Sequence, residues 1–128
     1  MYKIEQKEYG LHVTMGGVYE ASEIERYIAE KEGLLSNHEK PYSMVVDLRT
    51  AIPPEHKDVI RLKESQEKMR KEKLQRMAII IASPVLMAQA KQVAFMSGIE
   101  ENTRFINAAQ TPDWEARAIA WAANGLEP

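Results

Sequence analysis

Apolar and polar residues first alternate and then recur at helical spacing, and this change of period repeats along the chain. Tyr2, Ile4 and Gln6 alternate with charged residues, which predicts an edge strand over Tyr2–Lys7. Tyr9-Gly10 can turn. Leu11, Val13 and Met15 then alternate with His12 and Thr14, a second strand closed by Gly16-Gly17. The short connection predicts an antiparallel hairpin. Ile24, Tyr27, Ile28 and Leu35 form one apolar stripe, so a helix is expected over Glu20–Leu35, with Glu25, Arg26, Glu30 and Lys31 mainly off that stripe. Ser22 with Glu25 has the spacing of a capping box. The polar stretch Ser36–Pro41 reads as a loop.

Met44–Leu48 is a short apolar strand that ends in charge. Pro53-Pro54 stop any strand and suit a helix start, where a missing N–H costs nothing. The next helix, Pro54 to Gln75, has only a narrow stripe of Val59, Leu62 and Met69, so much of it must lie in water. Met77–Ala82 is continuously apolar, the mark of a strand covered on both faces. Ser83-Pro84 then supply an N-cap and first helical residue. The helix they open, Pro84–Ser97, is almost wholly apolar, which implies cover on more than one face. Gly98 ends it. Thr103–Asn107 is a short last strand, and Trp114–Asn124 a last helix stopped by Gly125. Trp114, Ala118, Trp121 and Ala122 share the face that should dock on the sheet. The order ββαβαβαβα predicts an α/β fold: one domain over residues 1–128, with a mostly parallel five-stranded sheet flanked by helices.

Composition narrows function more by exclusion than by assignment. With 128 residues and 45% hydrophobic content, a core needs no covalent staples. There are no cysteines, so disulfides, thiolate nucleophiles and thiolate zinc sites are absent. Net charge is −2, which gives no general pull toward nucleic acid. No apolar block opens the chain, and no apolar run approaches the ~20 residues that span a bilayer. A soluble, cytoplasmic protein without membrane insertion is expected.

Candidate chemistry gathers in two places. At the end of the central strand and the start of the long helix stand Asp47, Arg49, Thr50, Pro53, Pro54, Glu55 and His56. In an open α/β sheet, the carboxyl ends of strands are where ligands and partners dock. Asp47 and Arg49 can contact a partner there, or pair with each other. His56 beside Glu55 has the ingredients of acid–base chemistry, but neighbours on a helix diverge by ~100° and no nucleophile accompanies them. The three histidines have no metal-ligand spacing. Glu55–Arg76 holds eight Lys and Arg against five Asp and Glu, a net +3. The glutamates are interspersed, as on a solvated face with i,i+4 pairs. No aromatics interleave with the basic residues, which speaks against single-stranded nucleic acid. The second place is the Met-rich helix, where Leu86, Met87, Ala90, Val93 and Met96 fit three roles: plain core, homodimer interface, or wall of an apolar pocket.

In element order the chain resembles a STAS domain, the sulfate-transporter and anti-sigma-factor antagonist fold. More narrowly it resembles the small bacterial SpoIIAA-like proteins, grouped by fold with lipid-carrying CRAL-TRIO domains. The likeness also rests on Val45-Val46-Asp47-Leu48-Arg49, Arg76-Met77-Ala78-Ile79-Ile80-Ile81, Arg104-Phe105-Ile106 and the segment Trp114–Trp121. Antagonist members carry an Asp-Ser-Ser-Gly-like loop whose serine is phosphorylated. Here Ile52-Pro53-Pro54-Glu55 takes its place, without a hydroxyl, and Thr50 is the nearest one. Phosphate would act by adding negative charge at a helix N-terminus, where Glu55 already places one. The expected protein is a non-enzymatic regulatory module of the STAS/SpoIIAA-like type, a homodimer without cofactor, that docks a partner protein or small ligand at the Asp47–His56 loop. The CRAL-TRIO side of the resemblance implies instead a carrier or sensor of an apolar ligand beside the Met-rich helix.

Overall fold

A computed structural model describes all 128 residues. Five strands form one sheet in chain order: β1 (Tyr2–Lys7), β2 (Gly10–Gly17), β3 (Tyr42–Ala51), β4 (Leu74–Ile81) and β5 (Thr103–Asn107). The sheet is mixed. β1 and β2 are antiparallel, with Ile4 opposite Val13, and the other three pairings are parallel. Each parallel pairing is bridged by a helix: α1 (Glu23–Ser36), α2 (His56–Lys71) and α3 (Pro84–Ser97). A short 3₁₀ turn, Glu100–Asn102, precedes β5, and α4 (Trp114–Asn124) follows it. No helix is long and apolar enough to cross a membrane.

Period two divides the core. Leu11, Val13, Met15, Met44, Val46, Met77, Ile79 and Ile81 point to one face, which α1, α2 and α3 cover. Val45, Ala78, Ile80 and Ile106 point to the other, which α4 covers with Ala118, Trp121 and Ala122. Both faces of β4 are therefore buried, as its unbroken apolar run requires. Gly10 shows why the hairpin closes where it does. Its φ is +142°, and a Cβ there would fall 2.0 Å from the Ser43 carbonyl oxygen of β3. Only glycine allows the second strand to begin against that backbone.

β3 extends beyond the expected Met44–Leu48 at both ends, and three helices differ from expectation. α1 begins at Glu23, not Glu20, and the Ser22–Glu25 capping box does not form: Ser22 has φ +64° and caps nothing with its side chain. Glu23 instead accepts from the Glu20 N–H and pairs with the N-terminal amine of Met1, a contact from the far side of the hairpin. α2 begins at His56 with Glu55 as its N-cap, so Pro54 lies just before the helix rather than in its first turn; it stops at Lys71, and Leu74-Gln75-Arg76 join β4. The third difference concerns α3. Its cap is as expected, with Ser83 Oγ accepting from the Leu86 N–H. It is not covered on more than one side, however: Val85 is 69% exposed, Phe95 68% and Met96 45%.

Candidate functional site

The expected loop site is shared between opposite faces of the sheet. Asp47 and Arg49 are two residues apart on β3, so both point toward α4. Asp47 is buried and accepts from Arg49 Nε at 3.0 Å, from Nη2 at 3.0 Å and from the Arg49 backbone N–H at 3.0 Å. The guanidinium lies 3.9 Å from the centre of the Trp114 ring. The Asp47 carboxylate raises the Arg49 pKa above its ordinary value. This is a self-satisfied cluster that ties β3 to the start of α4. Thr50 sits exposed at the sheet end, paired with Gly16 across β2–β3. Pro53, Glu55 and His56 are exposed, and Pro54 turns inward under α2, away from Asp47 and Arg49. The histidines stay apart, and no three His, Asp or Glu residues converge as a metal-binding group.

Pro54 leads to a feature that spacing did not reveal. A cavity of about 100 Å³ lies between α2 and the sheet, walled by α1 on one side and α3 on the other, and 14 of its 18 lining residues are hydrophobic. Its floor is Met15, Met44, Val46, Leu48, Met77 and Ile79. Its existence follows from the composition of α2. Val59, Leu62 and Met69 reach inward, but between them the same face carries Ser65 and Gln66. A serine and an amide cannot fill the space that leucines would, so the roof stands off the floor. Outside, α2 is held by charge rather than apolar contact. Arg61 pairs with Glu25 of α1 and Lys68 with Glu32 of α1 at 3.2 Å, while Arg61–Glu64 and Lys63–Glu67 are pairs within α2 itself. Such exposed pairs contribute ~0.2–1 kcal/mol each.

The Met-rich helix thus turns two sides to different surroundings. Leu86 and Val93 are buried in the cavity wall, Ala90 lines it half-buried, Met87 packs on the core edge, and Met96 faces water. Self-association through α3 would consequently involve Val85, Phe95 and Met96 rather than Leu86 and Val93. Four of the seven methionines, Met15, Met44, Met69 and Met77, line the cavity. Unbranched thioether chains can re-pack around an occupant more readily than Leu or Ile.

Three polar side chains interrupt this apolar lining, and one of them, Gln66, accepts a hydrogen bond from Ser97 Oγ at 2.7 Å. Lys31, 2% exposed, donates to Ser65 Oγ and to Met69 Sδ at 3.2 Å, and its ammonium lies 5.2 Å from the centre of the Tyr27 ring. Burial holds its pKa down to about 8. Gln89 Oε1, on the α3 wall, is buried with no hydrogen-bond partner. Lys31 was expected off the apolar stripe of α1. It lies four residues from both Tyr27 and Leu35, however, and that i,i+4 spacing places it on the stripe. Compared with known proteins, the chain matches no family model, no curated protein and no solved structure.

Proposed function

We propose that this chain is a non-enzymatic binding module of the STAS/SpoIIAA-like type that takes up a small apolar ligand beneath α2. The observation that carries this reading is the cavity itself, about 100 Å³ and lined chiefly by hydrophobic residues. Apolar cavities near this size, of about 150 Å³, stay dry and admit molecules such as benzene. The STAS/SpoIIAA-like part rests on element order and on the segments Val45–Arg49, Arg76–Ile81, Arg104–Ile106 and Trp114–Trp121, whereas the Pro53-Pro54 junction departs from that pattern. Docking of a partner protein at the Asp47–His56 loop has less behind it, because Asp47 and Arg49 satisfy each other and Pro54 belongs to the cavity rim.

Thermal melting with benzene tests the reading. A ligand at about ten times its Kd stabilises by ~1.4 kcal/mol, or about 5 °C in a domain of this size. The wild type should show that rise. Ala90→Phe, which projects a ring into the cavity, should fold and show none. No benzene effect on the wild type, or an equal effect on both proteins, would remove the cavity as a ligand site.

A further inference from the structure

A buried amine without a counter-charge is an incomplete arrangement. Lysine is almost never fully buried unless paired, and an isolated charge in an apolar setting is costly. Lys31 has only a hydroxyl, a thioether and a ring face around its ammonium. No carboxylate forms an ion pair with it: Glu32, its neighbour on α1, is taken by Lys68 of α2. Two other charges act on it from α2 and its end: Glu72, which favours the charged amine but makes no hydrogen bond to it, and Lys68, a like charge that opposes it. Tyr27, whose pKa is raised by burial, faces it as a neutral phenol. The same Lys31 lines the apolar cavity, as does the unpartnered oxygen of Gln89. An apolar chamber with an unpaired cation in its wall has the polarity of a site for an amphiphilic anion, with the body in the chamber and the charge at the wall.

We propose that the ligand of the cavity is a small apolar monocarboxylic acid whose carboxylate completes an ion pair with the Lys31 ammonium. This rests on the cavity being the binding site and adds the chemical class of its occupant. Ser65 and Met69, both on α2, hold the amine in place. A carboxylate arriving there gains a charge-assisted hydrogen bond in surroundings that screen it poorly. A neutral molecule of the same shape gains only the apolar contact. The cavity volume sets the size of the body at a few carbons or one ring, more if the four methionines give way.

Calorimetric titration with hexanoate and with 1-hexanol separates these contributions. At pH 6.5 the wild type should bind hexanoate about tenfold or more tightly than 1-hexanol. At pH 9.5 the acid is still ionised but the Lys31 amine is mainly neutral, and the preference should collapse. Lys31→Met leaves the carboxylate without a counter-charge, so it should bind 1-hexanol more tightly than hexanoate at either pH. If that variant fails to fold, the pH profile of the wild type still decides the matter. Equal affinity for acid and alcohol at pH 6.5, or a preference that survives in Lys31→Met, overturns the carboxylate proposal and leaves an apolar site. Binding of neither probe removes the site and this proposal together.

Discussion

Replacing Lys31 by Met is expected to make the protein more stable at neutral pH, by about 2 kcal/mol. The argument is one of proton linkage. Burial lowers the folded-state pKa of this amine from an ordinary 10.5 to about 8. One pKa unit corresponds to ~1.4 kcal/mol, so the charged amine costs the folded state on the order of 3 kcal/mol below pH 8. Methionine has nearly the same length and no charge, and buried ions replaced by apolar residues of similar volume commonly give a gain of ~1–4 kcal/mol. Ser65 Oγ would lose its donor, which returns about 1 kcal/mol. The pH dependence identifies the cause. Below pH 8 both folded and unfolded wild type carry the proton, and the cost is complete. Between 8 and 10.5 the unfolded chain keeps its proton while the folded chain releases it, so wild-type stability rises toward that of the variant. Tyr27 and Tyr42, whose pKa values burial raises, begin to lower stability near pH 10 as the unfolded tyrosines ionise. Urea denaturation of both proteins at pH 7 and 9.5 is the measurement. The variant should lead clearly at pH 7 and by much less at pH 9.5. A wild type more stable than Lys31→Met at pH 7 would mean that the amine is paired after all.

The other large effect lies on the opposite face. Trp121→Ala should cost about 4 kcal/mol, within the ~3–5 kcal/mol typical of a buried tryptophan. α4 alone closes that face, over small Ala78 and branched Ile80, and Ala118 and Ala122 let the helix approach closely. The indole fills the space between, donates from Nε1 to the Met77 carbonyl at 3.1 Å, and has the Arg104 guanidinium 4.1 Å from its ring centre. Truncation leaves a void, removes the indole hydrogen bond to the Met77 carbonyl and unstacks an arginine. Trp121→Phe keeps most of the packing and loses the hydrogen bond, so it should cost ~1–2 kcal/mol. The urea midpoint reads both. A loss of under about 1 kcal/mol in Trp121→Ala would show that α4 does not hold the second face. Native stabilities of ~5–15 kcal/mol leave Trp121→Ala folded but fragile.

The elements that were legible in the sequence carry explicit punctuation. Ser83-Pro84 and Gly98 bound α3, and Gly125 ends α4, because capping and chain reversal are local chemistry. Where a boundary depends on a distant group, local signals mislead. The capping box at Ser22 loses to a contact between Glu23 and the amine of Met1. α2 ends earlier than its spacing predicts because Leu74-Gln75-Arg76 suits either period until β3 offers a ladder, with Leu74 opposite Tyr42 and Arg76 opposite Ser43. The cavity is the extreme case. It needs Met15, Met44, Met77, Leu62 and Leu86 from five separate elements, and no spacing within one segment encodes it. Its sequence trace is negative: Ser65 and Gln66 stand where a well-filled helix face would carry large apolar residues, and Lys31 stands where α1 would carry another. A chain that breaks its own apolar pattern twice around one space gives up packing there, as functional sites commonly do.

Carbon-13 labelling of the methionine methyl groups, followed by NMR titration with benzene, tests whether the space beneath α2 is a ligand chamber. Ring currents report on methyl groups close to the bound molecule, and the seven methionines fall into two sets. Met15, Met44, Met69 and Met77 line the chamber; Met1, Met87 and Met96 do not. Saturable shifts of the first four, with the other three unmoved, are the expected result. Shifts confined to Met87 and Met96, or none at all, would contradict the account.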